Sequence, residues 1–168
     1  MLLKSECHVR GIAQKLGESH STILRQLNNL KKENVIDSKT EGKNKIFFLK
    51  KNLISNNYIQ KAELHKLTEL LGKSPELSII FEEILKRTDE KLILLFGSYA
   101  KGLAKADSDI DIYIETKSRN VKKMVEDIHP KISVKIGTFD LKSPLIKEII
   151  KDHIILRGIE EFYDLSKN

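Results

Sequence analysis

The sequence predicts an α+β chain of two domains joined by a helix. Three observations predict it. Apolar spacing along the 168 residues switches repeatedly between a helical period and the period of two that marks a strand. The net charge of +6 is segregated: of 30 Lys/Arg and 24 Asp/Glu, residues 1–51 carry 11 and 5, which leaves the remainder balanced. Finally, a continuous apolar run, Leu92-Ile93-Leu94-Leu95-Phe96, breaks at Gly97-Ser98 and is followed by the alternating run Asp109-Ile110-Asp111-Ile112-Tyr113-Ile114. The expected layout is a first domain over 1–51, a linker helix over 52–73 and a second domain over 74–168.

In the first domain, Val9, Ile12, Ala13 and Leu16 share one helix face and Gly17 ends the helix. Ser19 or Ser21 caps a second helix, whose apolar stripe is Ile23, Leu24, Leu27 and Leu30. Two short helices joined by so tight a turn read as a helix-turn-helix. The outward face of the second carries Ser21, Thr22, Arg25, Gln26 and Asn29. These side chains suit base edges and phosphates, whereas a merely solvated face would favour Glu and Lys. Val35-Ile36 opens a strand, Lys39 to Lys45 is a polar tip with Gly42, and Ile46 to Leu49 returns. The hairpin tip is basic through Lys39, Lys43 and Lys45.

A helix-turn-helix followed by such a hairpin resembles the winged-helix DNA-binding fold of archaeal and bacterial transcription regulators. The resemblance covers residues 1–50 and departs at the start, where Met1 to Leu3 is at most a remnant of the usual first helix. It implies double-stranded DNA as a partner, contacted by Ser21, Thr22, Arg25, Gln26, Asn29, Lys43 and Lys45, and a homodimer as the default assembly. The localised positive charge agrees.

Residues 52–72 read as a helix ended by Gly72, either a spacer or dimerisation helix or one packed on its own two domains. Ser74-Pro75-Glu76 starts the next helix, with Leu77, Ile80, Phe81, Ile84 and Leu85 on one face.

The stretch 92–114 carries the chemistry. Strand alternation places Asp109 and Asp111 on one face and the three isoleucines on the other. Two carboxylates one pleat apart suit Mg²⁺, which binds one or two carboxylates plus substrate phosphates. Gly97 permits a tight turn and Ser98 caps a short helix whose N–H groups face an anion. Lys101 lies close by and Gly102 ends that helix.

Gly97-Ser98, Gly102 and Ser108-Asp109-Ile110-Asp111 between two strands resemble the signature of the polymerase-β-type nucleotidyltransferase superfamily, in its minimal prokaryotic members. The resemblance implies an α/β domain with helices on one face of a small mixed sheet. It implies Asp109 and Asp111 as catalytic and Mg²⁺-binding residues. Gly97, Ser98, Lys101 and Ser108 become nucleotide-binding residues, with ATP the expected triphosphate. Active members carry a third carboxylate on the following strand. Here that strand, Lys131 to Asp140, turns Lys131, Ser133 and Lys135 to the same side, so Ser133 or Lys135 stands at the acid's place.

Farther on, Val121 to Ile128 forms a helix, Ile132, Val134 and Ile136 a strand running as far as Phe139, and Ser143-Pro144 starts another helix. Ile154 to Leu156 is a strand or a helix end, and Ile159 to Leu165 closes the chain. Tyr113 and Glu115 either line the cleft or meet solvent. The five histidines are scattered and read as surface or cap residues, and Cys7 reads as a small hydrophobe that allows no internal disulfide. No apolar run nears the ~18 residues of a membrane span, and a cytoplasmic protein is expected.

Function follows in two forms. The first is a DNA-binding nucleotidyltransferase-like protein that binds Mg-NTP and modifies a protein acceptor, as antitoxin-like members do with a helical toxin of the HEPN type. The second is a non-catalytic transcription regulator whose transferase domain only senses nucleotide. A transferase acting on nucleic-acid ends is a weaker third.

Overall fold

The computed structural model describes residues 7–42 and 44–166. The chain divides into two compact units between Lys61 and Ala62. Met1 to Leu3 and Lys43 lie outside the described residues.

In the first unit, β1 (Cys7–His8) leads into α1 (Val9–Leu16), which Gly17 ends in the left-handed region at φ 67, its N–H bonded to the Ala13 carbonyl. Ser19, not Ser21, caps α2 (His20–Lys32), accepting from the Thr22 N–H at 3.1 Å. β2 (Ile36–Glu41) and β3 (Asn44–Leu49) pair antiparallel from Ile36↔Leu49 to Glu41↔Asn44. Strand pairing therefore extends through most of the polar tip, because ladder hydrogen bonds satisfy the backbone whatever the side chains. β1 joins the free edge of β3, giving the order β1-β3-β2. Val9, Ile12, Ala13, Ile23, Leu27, Val35, Ile36 and Phe47 form the core.

α3 (Leu53–Lys73) runs through Gly72, which does not end it. Asn52 Oδ1 accepts from the Ser55 N–H at 2.8 Å at its start. Ser55 Oγ donates to the buried Val35 carbonyl at 2.6 Å, and the Tyr58 hydroxyl bonds Glu33. In the second unit, Leu67, Leu70 and Leu71 of the same helix pack on the core.

The second unit is built on a mixed sheet of order β6-β5-β4-β7. β4 (Ile93–Phe96) pairs antiparallel with β5 (Ile110–Glu115) and with β7 (Ile154–Arg157). β5 runs parallel to β6 (Ile132–Gly137), and the crossover between them carries α6 (Arg119–Glu126), as a parallel connection requires. β6 stops at Gly137, short of Phe139, and Ile154–Arg157 is a strand. Pro75, not Ser74, is the cap residue of α4 (Glu76–Arg87).

Helices cover both faces of this sheet, not one. Leu77, Phe81 and Ile84 of α4 and Val125 of α6 pack against Ile93, Leu95, Ile110, Ile112, Ile114 and Val134. On the reverse, α7 (Pro144–Lys151) and α8 (Ile159–Leu165) cover Leu92, Leu94, Phe96 and Tyr113. β4 is apolar on both sides, so it demands cover on both. Tyr113 is consequently buried, edge-on to Phe139, with its hydroxyl donating to the Gly137 carbonyl at 3.0 Å. It neither lines a cleft nor meets solvent. Arg157 clasps the end of α4 through the Leu85 and Thr88 carbonyls, where a cation meets unpaired acceptors. Among the described residues, no helix is long and apolar enough to cross a membrane.

A buried polar cluster ties α3 to this unit. Glu63 is 1% exposed. It accepts from Lys66 Nζ at 2.8 and 2.7 Å and from the Tyr163 hydroxyl at 2.6 Å. His153 Nε2 lies 3.7 Å from its second oxygen, and its Nδ1 meets the Ile149 carbonyl at 2.9 Å. His153 is thus a core residue and not a surface one. Burial pushes the Glu63 carboxyl up, but the nearby His153 ring and the bonds from Lys66 and Tyr163 outweigh it and bring it down to about 2 from 4.5. A carboxyl depressed in the fold stabilises fully above its unfolded value and loses that contribution as pH falls toward 2. Glu63→Gln is expected to cost on the order of 2–3 kcal/mol at neutral pH. In urea unfolding across pH, the difference between wild type and variant should shrink between pH 4.5 and 2; a constant difference would mean Glu63 is not charged in the fold.

Candidate functional site

The site grows from the register of β4 and β5. Phe96, the last residue of β4, sits opposite Asp111. The next residue, Gly97, turns the chain into the single-turn α5 (Gly97–Ala100) at φ 70. A Cβ on Gly97 would fall 2.1 Å from Asp111 Oδ2 and 2.9 Å from its Cγ. Glycine is required there twice, for its backbone angle and for the carboxylate seated against it.

Asp111 is half-buried and Asp109 exposed. β5 begins at Ile110, so Asp109 stands just before the strand and not within it. Burial pushes the Asp111 carboxyl above its ordinary range and the Asp109 charge adds to this; Lys135 and Lys101 draw it down, while Glu148 opposes them. In the parallel pairing of β5 with β6, Ser133 stands directly beside Asp111 and Lys135 beside Tyr113. Of the two candidates for the missing acid's place, register selects Ser133.

The other expected site residues are held as follows. Ser98 follows Gly97 in α5, half-buried, and its carbonyl accepts from the Leu103 N–H at 2.9 Å. Lys101 Nζ pairs with Glu148 Oε1 of α7 at 2.6 Å, and this bond raises the lysine's pKa. Ser108 Oγ accepts from the Lys105 N–H at 2.9 Å, and its own N–H returns to the Lys105 carbonyl at 3.0 Å. It therefore closes the loop ahead of Asp109. Lys131 Nζ braces the same loop at the Ala106 carbonyl, 2.5 Å away.

In the first unit, Arg25, Gln26 and Asn29 stand exposed on α2, and Lys45 is exposed with its ammonium 5.4 Å from the Phe47 ring centre. Ser21 and Thr22 are engaged locally: their hydroxyls lie 2.9 and 2.8 Å from Ser19 Oγ. Lys39 pairs with Glu41 at 3.0 Å.

The family model of the nucleotidyltransferase domain matches residues 77–157. A chain from a crystal structure of a toxin-antitoxin with AMP-PNP is similar at 18% identity with a TM-score of 0.35, over 61% of this chain and 83% of that one. No curated protein matches.

The described residues hold no group of three or more His, Cys, Asp or Glu able to bind a metal. The donors present, Asp109 and Asp111, fit an Mg²⁺ that arrives on nucleotide phosphates and keeps them as ligands. Glu148 escaped the sequence reading. Its signal was the acid pair Glu148 and Asp152, one in α7 and one just past its end, both acting on Lys101.

Gly97→Ala should destabilise the domain by roughly 2–3 kcal/mol, from left-handed backbone strain plus the clash. In an Asp111→Ala background the carboxylate clash should be gone, leaving the backbone strain and a 3.2 Å contact with the Cβ at 111, so urea unfolding of the double-mutant cycle should show coupling. Simple additivity would mean the carboxylate is not seated against Gly97.

Proposed function

We propose that the second unit binds a nucleoside triphosphate, ATP first among them, as its Mg²⁺ complex. The observation that carries this reading is the seating of Asp111 against the Gly97 turn, which brings that carboxylate, with Asp109 two residues before it, to the end of β4. Gly97 and Ser98 hold the β- and γ-phosphates there. Asp109 and Asp111 are the residues that would hold Mg²⁺ beside the α-phosphate, where the ion offsets charge on the phosphoryl oxygens. Transfer consists of attack by an acceptor hydroxyl on the α-phosphorus. The new P–O bond forms as the bond to the β-phosphate bridge breaks, the hydroxyl proton leaves to solvent or base, and pyrophosphate departs. The resemblance to minimal antitoxin-type members supports a protein acceptor, such as a HEPN-type toxin. Lys101 turns to the phosphates only by releasing Glu148.

The first unit, read as a winged helix, binds double-stranded DNA through α2 and the hairpin, with Arg25, Gln26 and Asn29 as base-reading residues and Lys45, with Lys43, on phosphates. Ser21 and Thr22 hold the Ser19 cap through their hydroxyls and reach phosphates at the helix start. A homodimer on DNA matches this reading. The alternative, a non-catalytic regulator that senses nucleotide, is favoured by one observation: a hydroxyl, Ser133, stands beside Asp111 where a general base would be, and losing such a base typically costs about 10²–10⁴-fold in rate.

Calorimetric titration of ATP should show binding that needs Mg²⁺ and vanishes in an Asp109→Ala, Asp111→Ala double variant. Absence of binding by any triphosphate would remove the nucleotide role. On filters, duplex DNA should be retained at low salt and lost steeply as salt rises, with Arg25→Ala weakening it. No retention at low salt would remove the DNA role.

A further inference from the structure

The face of β6 beside the two carboxylates is set by register. Ser133 flanks Asp111, and Lys135 stands one pleat farther on the same side, about 7 Å along the strand. That separation is within the length of a lysine side chain. Lys131, the third residue of this face, is tied to the Ala106 carbonyl. Lys101 is tied to Glu148. Lys135 is exposed, and its charge acts on Asp111.

A triphosphate brought to Asp109 and Asp111 adds several negative charges to two already present. Sites that meet this load with two metal ions hold them about 3.5–4 Å apart, so here the same two carboxylates would have to serve both ions. The described residues hold no third metal-binding acid, cysteine or histidine in the cluster. We infer that this site takes its nucleoside triphosphate with one divalent ion, and that the Lys135 ammonium supplies the positive charge a second ion would otherwise bring. The inference rests on the nucleotide-binding reading and deepens it. An ammonium holds phosphate as a point charge. It does not activate a hydroxyl as a metal ion does, so the site is built to retain nucleotide more than to turn it over.

The test uses the full chain, a non-hydrolysable ATP analogue at saturation, and Mn²⁺ counted by its paramagnetic resonance signal. One Mn²⁺ should bind per chain. Lys135→Ala should weaken analogue binding roughly tenfold, and Lys135→Arg should restore most of it. Ser133→Asp with Lys135→Ala should raise the count to two. Two Mn²⁺ per wild-type chain, or a Lys135→Ala variant that binds the analogue as wild type does, would overturn the inference while leaving nucleotide binding intact. No analogue binding in wild type would overturn both.

Discussion

The second unit depends on the register of β4 against β5. Ile110, Ile112 and Ile114 bury one face of β5 almost completely, and a slip by one residue would exchange them with Asp109, Asp111 and Tyr113. Fully burying one such apolar side chain stabilises by about 1.5–3 kcal/mol, so the core fixes the pairing many times over. The pairing in turn sets Asp111 opposite Phe96 and against Gly97. The site is therefore specified by residues that take no part in it. Asp111 bears the cost, since burial and the Asp109 charge both disfavour its ionised form.

That cost shapes the surroundings. Two like charges held one pleat apart call for cations, and Lys135 and Lys101 both draw Asp111 down. They differ in freedom. The Lys101 bond to Glu148 is half-exposed and such a pair adds little to stability, but it neutralises the lysine locally. Lys135 stands on a paired strand, and register fixes its base. Among the described residues, the exposed Lys135 and the two carboxylates leave this site a demand for a single divalent cation and a polyanion together.

Much of this was legible in the chain. The strand–turn–strand, the acid pair and the glycine turn follow from period and from glycine's backbone; β5 and β6 announce themselves by alternation and β4 by its continuous apolar run. What was not legible shares one cause: side chains whose roles are decided by partners far off in sequence. Tyr113 alternates with Asp111 on the same face yet is buried, because α7 and α8 cover that end of the strand. His153 reads as a surface residue until Glu63, ninety positions earlier, is brought beside it. Lys101 and Ser108 sit at motif positions, but Glu148 and the Lys105 backbone claim them. The hairpin tip was legible in place but not in extent, since its polar residues still pair through the backbone.

The imperfect apolar stripe of α3 has the same explanation. A helix that docks by an apolar face alone needs a continuous stripe. α3 instead fixes its rotation by polar bonds. Near its start Ser55 donates to the Val35 carbonyl, and Tyr58 bonds Glu33. Farther along Glu63 gathers Lys66, Tyr163 and His153. A buried charge is a poor source of stability, because desolvation offsets most of the attraction. It is a good source of specificity, because only one rotation of the helix satisfies it. An apolar residue at position 63 would tolerate neighbouring rotations, and Leu67, Leu70 and Leu71 alone would leave the choice among them weak. In each unit taken by itself, polar contacts do what an apolar stripe would otherwise do, and that is why the sequence of α3 reads as a helix without declaring a face.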